Sequence, residues 1–435
     1  MNKTIKTLLL TIILINLASI IPANGIEHTI STKDIDTTEN GEQKEWTMMY
    51  YFNGDNNLEN MIEQWKIHFL KVRSDENVNL IFQYDPKESY MEQEGVFRCY
   101  VNETNKVNIK ELLPEQNMAD PETLIDFFNW GKTNYPANRY LLCLLGHGCG
   151  WRNGFMLDET NDNDYLSIAE LKNAMTEIKN SLGRKIDIAI IESCQMGQTE
   201  VYYQIKDTVE YCISSEALLP DRGYPYHMFI DEFKDNLQMT NEEAAYTIIE
   251  RSYYYYKGSG IPLTIAAIDI DKFSTDLKNE IDDFAETLRN NVKEYKKQIK
   301  TALENTQKFN GLQGYELYYN DLYDFALNIN EEIQDLEINQ AANELMNAIT
   351  ETVILTKDNG FRANGLSIYI PDKKANYQNE YDELDFSIDS FWDEYIKTYV
   401  NTAKTINLPN ILSLEIFENI RIIIQKIITN LLQFQ

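Results

Sequence analysis

Residues 139–148 read RYLLCLLGHG, and residues 185–194 read KIDIAIIESC. Each is an apolar run without polar alternation, the pattern of a strand buried on both faces of a sheet. The first stops at Gly146, His147 and Gly148; the second stops at Glu192, Ser193 and Cys194. Between them, LSIAELKNAMTEIKNSLG has apolar residues recurring at three and four and ends at Gly183. That is an amphipathic helix with a glycine stop. Strand, helix, strand predicts sequential strands of one parallel sheet, with ends that can lie near each other.

The same alternation extends outward. WTMMYYF (46–52) reads as an opening strand, GDNN as a turn and LENMIEQW as the first turns of a helix. VNLIFQYD is a second strand, and PETLIDFFNWGKTN a helix opened by proline and acid. VFRCYV also has strand character. After Cys194, QMGQTEVYYQIKD reads as a helix and VEYCISSEA as a further strand. PLTIAAIDI and GLSIYIP read as strands, residues 272–300 and 330–357 as helices, and 317–328 as a short helix. The fold class is α/β, a mostly parallel sheet covered on both sides.

The termini differ in character. MNKTIK is a short basic start, LLLTIILINLASII an apolar stretch, and PANG supplies small residues. Residues 1–25 thus have the three parts of a secretory signal, with cleavage expected near Gly25. Export to the medium or the cell surface follows. Residues 26–44 are polar and acidic, a linker or propeptide ahead of a domain at 45–405. In residues 406–435, Phe417, Ile420, Ile424, Ile427, Leu431 and Phe434 form one helical seam. This amphipathic helix could pack back on the domain, self-associate or touch a membrane peripherally. Glu418, Arg421 and Lys426 argue against its spanning one.

The formal net charge of -30, from 39 basic and 69 acidic residues, makes nucleic acid and anionic membranes poor partners. Five cysteines are an odd number without a CxxC, so at least one thiol is free or pairs outside the chain. Cys143 and Cys212 lie in apolar runs and read as core, and Cys99 lies in a strand.

Ligands of open parallel sheets collect at the carboxyl ends of strands, where His147 and Cys194 fall. A cysteine nucleophile needs an imidazole to activate it or to protonate the leaving amine. The N–H groups of Gly148 and Cys194 could form an oxyanion hole. His147 and Cys149 could alternatively supply two metal ligands, although no second pair at zinc spacing appears.

HGCGW followed by ESCQMG resembles the clostripain family of cysteine peptidases, grouped with caspases, legumains and gingipains. WTMMYYFNGDNNLE, LSIAEL, SSEALLPDRGYPY, DLYDFA and NGLSIYIP are similar to further family segments, in order, over roughly residues 45–400. The resemblance implies a caspase-like α/β/α sandwich with additional C-terminal helices. It also implies a Cys–His dyad with Cys194 as nucleophile and His147 as its partner, cleaving peptides or proteins through a thioester. No cofactor is required by that chemistry.

The family's preference for Arg or Lys at P1 is attributed to an aspartate two residues before the nucleophile and an acid in the later loop. Here those positions hold Glu192 and the Asp221-Arg222 pair. Strand alternation puts Glu192 on the face of Cys194. Arg222 could instead pair with Glu192 and neutralise the pocket. The loop after His147 concentrates Asp158, Glu159, Asp162 and Asp164. Some relatives use calcium, and clustered hard oxygens suit it, but the spacing is not that of an EF-hand. A solvated acidic loop is the plain alternative. A catalytically inactive peptide-binding or scaffolding protein on the same fold is the second reading of function.

Overall fold

The computed structural model describes residues 43–402, except 88–94, 105–106, 153, 312–313 and 315. The expected signal segment (1–25), most of the linker (26–42) and the C-terminal helix (406–435) lie outside the described residues. The strands, in chain order, are β1 Lys44–Gly54, β2 Val78–Pro86, β3 Val96–Val101, β4 Val107–Leu113, β5 Ala137–Leu145, β6 Phe155–Asp158 and β7 Asp164–Leu166. They continue as β8 Ile186–Glu192, β9 Val209–Ser214, β10 Leu263–Asp269, β11 Lys308–Phe309, β12 Tyr319–Asp321, β13 Val353–Asn359 and β14 Ser367–Tyr369. The helices that matter below are α1 Glu59–Lys71, α2 Pro121–Asn134, α3 Ile168–Leu182, α4 Thr199–Gln204, α5 Asn241–Tyr256 and α6 Lys278–Asn305.

One sheet runs in the order β13-β10-β9-β8-β5-β1-β2-β3-β4. Its centre, from β2 through β1, β5 and β8 to β9, is parallel. Both flanks are antiparallel. The missing polar alternation in β5 and β8 now has its cause, because both faces are dry. Leu142, Leu144, Ala189 and Ile191 pack on one side with Leu124 and Phe128 of α2, Leu171 and Ile178 of α3, and Phe284 of α6. Leu141, Cys143, Ile188 and Ile190 pack on the other with Trp65 and Phe69 of α1 and Ile248 of α5. The three layers are therefore helix, sheet and helix. At roughly 25 cal/mol per Å² of apolar surface removed from water, this double burial is the main favourable term.

Local signals fix the helices that join these strands. Ser167 and Glu170 form a capping box at the start of α3, and Gly183 ends it at φ 79°. Such an N-cap contributes about 1 kcal/mol, and a left-handed stop favours glycine. Asp120 caps α2, with Pro121 in its first turn.

Several expectations need correction. The helix read over 330–357 spans Leu336–Thr352, after which Val353–Asn359 becomes β13, pairing antiparallel with β10. The β-branched and apolar start of that segment favours an edge strand once a partner is available. Residues 319–321, read as helical, form β12, and Asp321 then caps the helix Leu322–Glu332. GLSIYIP supplies β14, but in a separate three-stranded sheet with β11 and β12. The helix after Cys194 is only Thr199–Gln204. The partly exposed strand β4 had no expectation, and Lys44, assigned to the linker, opens β1.

Candidate active site

β5 and β8 are adjacent and parallel, and their last register pair is Leu145 with Glu192. His147 lies two residues past the first strand and Cys194 two past the second. The two side chains thus leave the sheet from neighbouring strands at the same height. Gly148 then runs against the backbone of Cys194. A Cβ at Gly148 would sit 2.6 Å from Cys194 O, 3.0 Å from Cys194 N and 2.7 Å from Ser193 Cβ. Only glycine fits without displacement.

Gly148 also bridges Phe155 in antiparallel fashion. The flanking bonds run from Met156 N to His147 O (2.7 Å) and from Cys149 N to Gly154 O (3.2 Å). Gly148 is therefore the non-hydrogen-bonded member of the ladder, and its own N–H is not consumed there.

The half-buried His147 ring places Nε2 2.6 Å from Asn57 Oδ1, in the turn after β1. With Oδ1 accepting, Nε2 carries the hydrogen and Nδ1 is the unprotonated ring nitrogen. Desolvation lowers the imidazole pKa below 6.5, against a smaller opposite pull from Glu159. The ring is thus mostly neutral at pH 7. Cys194 Sγ accepts from Leu219 N at 3.3 Å. Its desolvated setting pushes the thiol up to about 11, with the Leu219 N–H pulling the other way. Ring and thiol are not bonded to each other; each is held by a different group. Catalytic hydrogen bonds are commonly loose before substrate binds.

The chain turns sharply after Cys194. Gln195 has φ 59°, and Gln195 N and Gly197 N donate to Ala217 O (3.0 Å) and Ser215 O (2.8 Å). The segment after β9 thereby braces the turn at Cys194. A cleft of about 460 Å³ beside it is lined by Ala217–Pro220, Ile261, Pro262, Lys308, Phe309, Asn310 and Phe361.

Glu192 lies on the face of Ile188 and Ile190 and is buried beneath the loop at 219–224. Its carboxylate accepts from Tyr224 N (2.8 Å) and Tyr226 Oη (2.7 Å), with Cys143 Sγ at 3.7 Å. Burial raises its pKa to about 7, while those donors lower it. Gly223, at φ 63°, lets the loop lie down, since a Cβ there would be 2.1 Å from Glu192 Oε1. The pairing of Glu192 with Arg222 is not formed, because tyrosine donors already satisfy the carboxylate. Asp221 and Arg222 are exposed, and Asp221 is close enough to Cys194 to raise the thiol pKa.

The four acids after His147 do not converge. Asp158 points inward, Glu159 pairs with Lys87 at 2.5 Å, Asp164 accepts from Asn117 Nδ2 at 2.7 Å, and Asp162 is exposed in a turn. Asp158 instead meets Asp55, Asp85 and Glu115, one oxygen of each within 4.8 Å of the others. Among the described residues this grouping could hold a metal, and it contains neither His147 nor Cys149. Asp55, Asp85, Glu115 and Asn57 were missed in the sequence. A signal existed: Asp55 follows β1, Asp85 ends β2, and the two strands are parallel neighbours. Cys149 and Cys194 are partly exposed, and Cys99, Cys143 and Cys212 are buried.

Comparison with known proteins places the whole domain. The sequence profile of the clostripain family matches residues 50–399. The chain belongs to the clostripain family. Clostripain of Hathewaya histolytica is 25% identical over 418 residues, covering 77% of this chain and 76% of that protein. A secreted C11 cysteine protease from Bacteroides thetaiotaomicron, solved with an irreversible peptide inhibitor, has TM-score 0.63 at 19% identity. It covers 80% of this chain and 99% of its own. An inactive zymogen C11 protease from Parabacteroides distasonis gives 0.62 at 20% identity, with 80% and 99% coverage. The central sheet between helical layers is their caspase-like fold. As a clostripain-family protein the chain is a cysteine peptidase, a hydrolase whose substrates are peptides or proteins.

Proposed function

We propose that this clostripain-family chain is an exported endopeptidase that uses Cys194 and His147 as a dyad and favours Arg or Lys at P1. The observation that carries the dyad is the shared register of β5 and β8, with Gly148 packed against the Cys194 backbone. His147 Nδ1 takes the Sγ proton as sulfur attacks the scissile carbonyl carbon. The N–H groups of Gly148 and Cys194 receive the oxyanion, a pre-aimed donor being worth about 3 kcal/mol in the transition state. The imidazolium then protonates the leaving amine, and a thioester remains. Water, deprotonated by His147, hydrolyses it and returns the thiol.

A basic P1 side chain would meet Asp221, the exposed acid beside the thiol, above the buried Glu192. The three-part pattern of residues 1–25 supports export.

The test is hydrolysis of fluorogenic peptides differing only at P1. Wild type should cleave Arg and Lys peptides best, and Cys194→Ala should lose at least about a thousandfold in turnover. Equal rates for the two proteins would sink the dyad and return the inactive-scaffold reading. Equal kcat/KM for basic and neutral P1 would sink the specificity alone.

A further inference from the structure

We propose that Glu216 is a positioning residue for Cys194 and that it acts through a proton shared with Asp321. The effect on catalysis rests on the dyad reading above; the shared proton does not.

The two carboxyls come from different sheets. Glu216 follows β9 of the large sheet, and Asp321 ends β12 of the three-stranded one. Both are buried, at 1% and 0% exposure. Both Asp321 oxygens accept: Oδ1 from Asp324 N (2.7 Å) and Asn364 Nδ2 (3.0 Å), and Oδ2 from Asn364 N (2.6 Å). Glu216 Oε2 accepts from Gly365 N at 2.8 Å. Its Oε1 is buried, receives no N–H, and the side chain lies within hydrogen-bond reach of the Asp321 carboxyl.

Two ionised carboxylates in contact repel strongly when water is excluded. A cation would relieve them, but among the described residues the nearby Arg362 pairs with Asp324, at 3.1 Å. Lys308, opposite Asn320 in β11, is exposed. The other titratable groups facing the pair are acids or a phenol: Asp324, Asp358 and Tyr202. One proton between the carboxyls leaves neither of them uncompensated. Burial, then the Asp321 charge, holds Glu216 well above the usual carboxylate range, against the pull of Gly365 N.

Glu216 sits in the segment on which the Cys194 turn is built. Gln195 N and Gly197 N donate to Ala217 O and Ser215 O, the residues on either side of it. A Cβ at Gly197 would be 2.7 Å from Ser215 C and 2.8 Å from Glu216 N, so turn and segment are in backbone contact. Three residues beyond Glu216, Leu219 N meets Cys194 Sγ at 3.3 Å. The same segment lines the cleft with Ala217–Pro220, and the small sheet contributes Lys308 and Phe309. The Glu216–Asp321 bond thus ties the loop that holds the thiol to the small sheet. Loss of its proton sets two negative charges against each other, drives the loop off the sheet and loosens Leu219 N from the sulfur.

Glu216→Gln keeps the side chain's volume and carries an N–H where the shared proton stands, so it holds the bond at every pH. Glu216→Ala removes the bond. Infrared difference spectra of the full chain carrying Cys194→Ala, with and without Glu216→Gln, read the proton independently of catalysis. At neutral pH the parent should show the carbonyl stretch of a protonated carboxyl that the Gln variant lacks. No difference overturns the shared proton. In the Cys194-containing chain, Glu216→Ala should lower kcat/KM at least about tenfold at neutral pH, and Glu216→Gln should stay within about threefold of wild type. As pH rises, wild type should lose kcat/KM along an alkaline limb that Glu216→Gln lacks. If Glu216→Ala fails to fold, the alkaline limb alone decides. No rescue by Gln, or the same alkaline limb in Glu216→Gln as in wild type, overturns the positioning role and leaves the shared proton standing.

Discussion

Gly148 and Cys194 meet across a gap too small for a methyl group, and this contact places the Gly148 backbone beside Cys194. An added Cβ would have to displace backbone at Cys194 and the side chain of Ser193, neither a flexible tip. Gly148→Ala is expected to lower kcat by about 10²–10³-fold with the fold intact, the cost of losing one oxyanion donor. The check is kcat for a good peptide alongside the near-ultraviolet circular dichroism spectrum. Unchanged kcat would mean that the Gly148 N–H faces no developing charge. The sequence held the residues of this contact but not its closeness. GHG put Gly146 and Gly148 on either side of the imidazole, whereas the 2.6 Å approach that a Cβ would make depends on how two strand ends settle.

At the scale of elements, buried carboxylates tie the helix and loop that follow Cys194 to their surroundings. Glu200, on α4, accepts from Tyr369 N (2.9 Å) and Tyr381 Oη (2.8 Å), linking α4 to β14 and the segment beyond it. Burial raises Glu200 from 4.5 to about 7, and Glu192 likewise. The folded chain then holds more protons than the unfolded one between about pH 4.5 and 7, so these groups make stability fall as pH rises through that window. His68, lowered to about 4, and His147 and His227, also lowered by desolvation, act in the opposite sense below about pH 6.5, while the buried Asp321, raised to about 6, acts with the two glutamates. Glu200→Gln should therefore shrink the drop in melting temperature between about pH 5 and about pH 8. Differential scanning fluorimetry at the two pH values checks this, and an unchanged or wider drop would contradict it. β5, β8 and α3 were legible because double burial, a capping box and a glycine stop all agree there. β13 was not, because its apolar periodicity continues that of the helix before it, and only pairing with β10 makes it a strand. Glu192 was legible as a position but not as a contact, since its tyrosine donors lie in a loop after the next strand.

Over the whole molecule, the parallel centre of the sheet delivers its functional groups to one rim. His147 and Cys194 leave β5 and β8, and Asp55 and Asp85 sit at the ends of β1 and β2. The acidic cluster was illegible as a set because its members come from four segments, and the run of acids after His147 contributes only Asp158. With a formal charge of -30, such convergence adds a local concentration of negative charge to an already acidic chain. We infer that the fold makes Cys194, and not its partly exposed neighbour Cys149, the partner of His147. Both thiols are partly exposed, so the choice can be read directly. The most direct test treats the full chain with a peptidyl electrophile ending in Arg and maps the adduct by mass spectrometry. The account predicts one adduct on Cys194, formed in step with loss of peptidase activity and greatly slowed by His147→Ala. An adduct on Cys149, or inactivation with Cys194 unmodified, would contradict it.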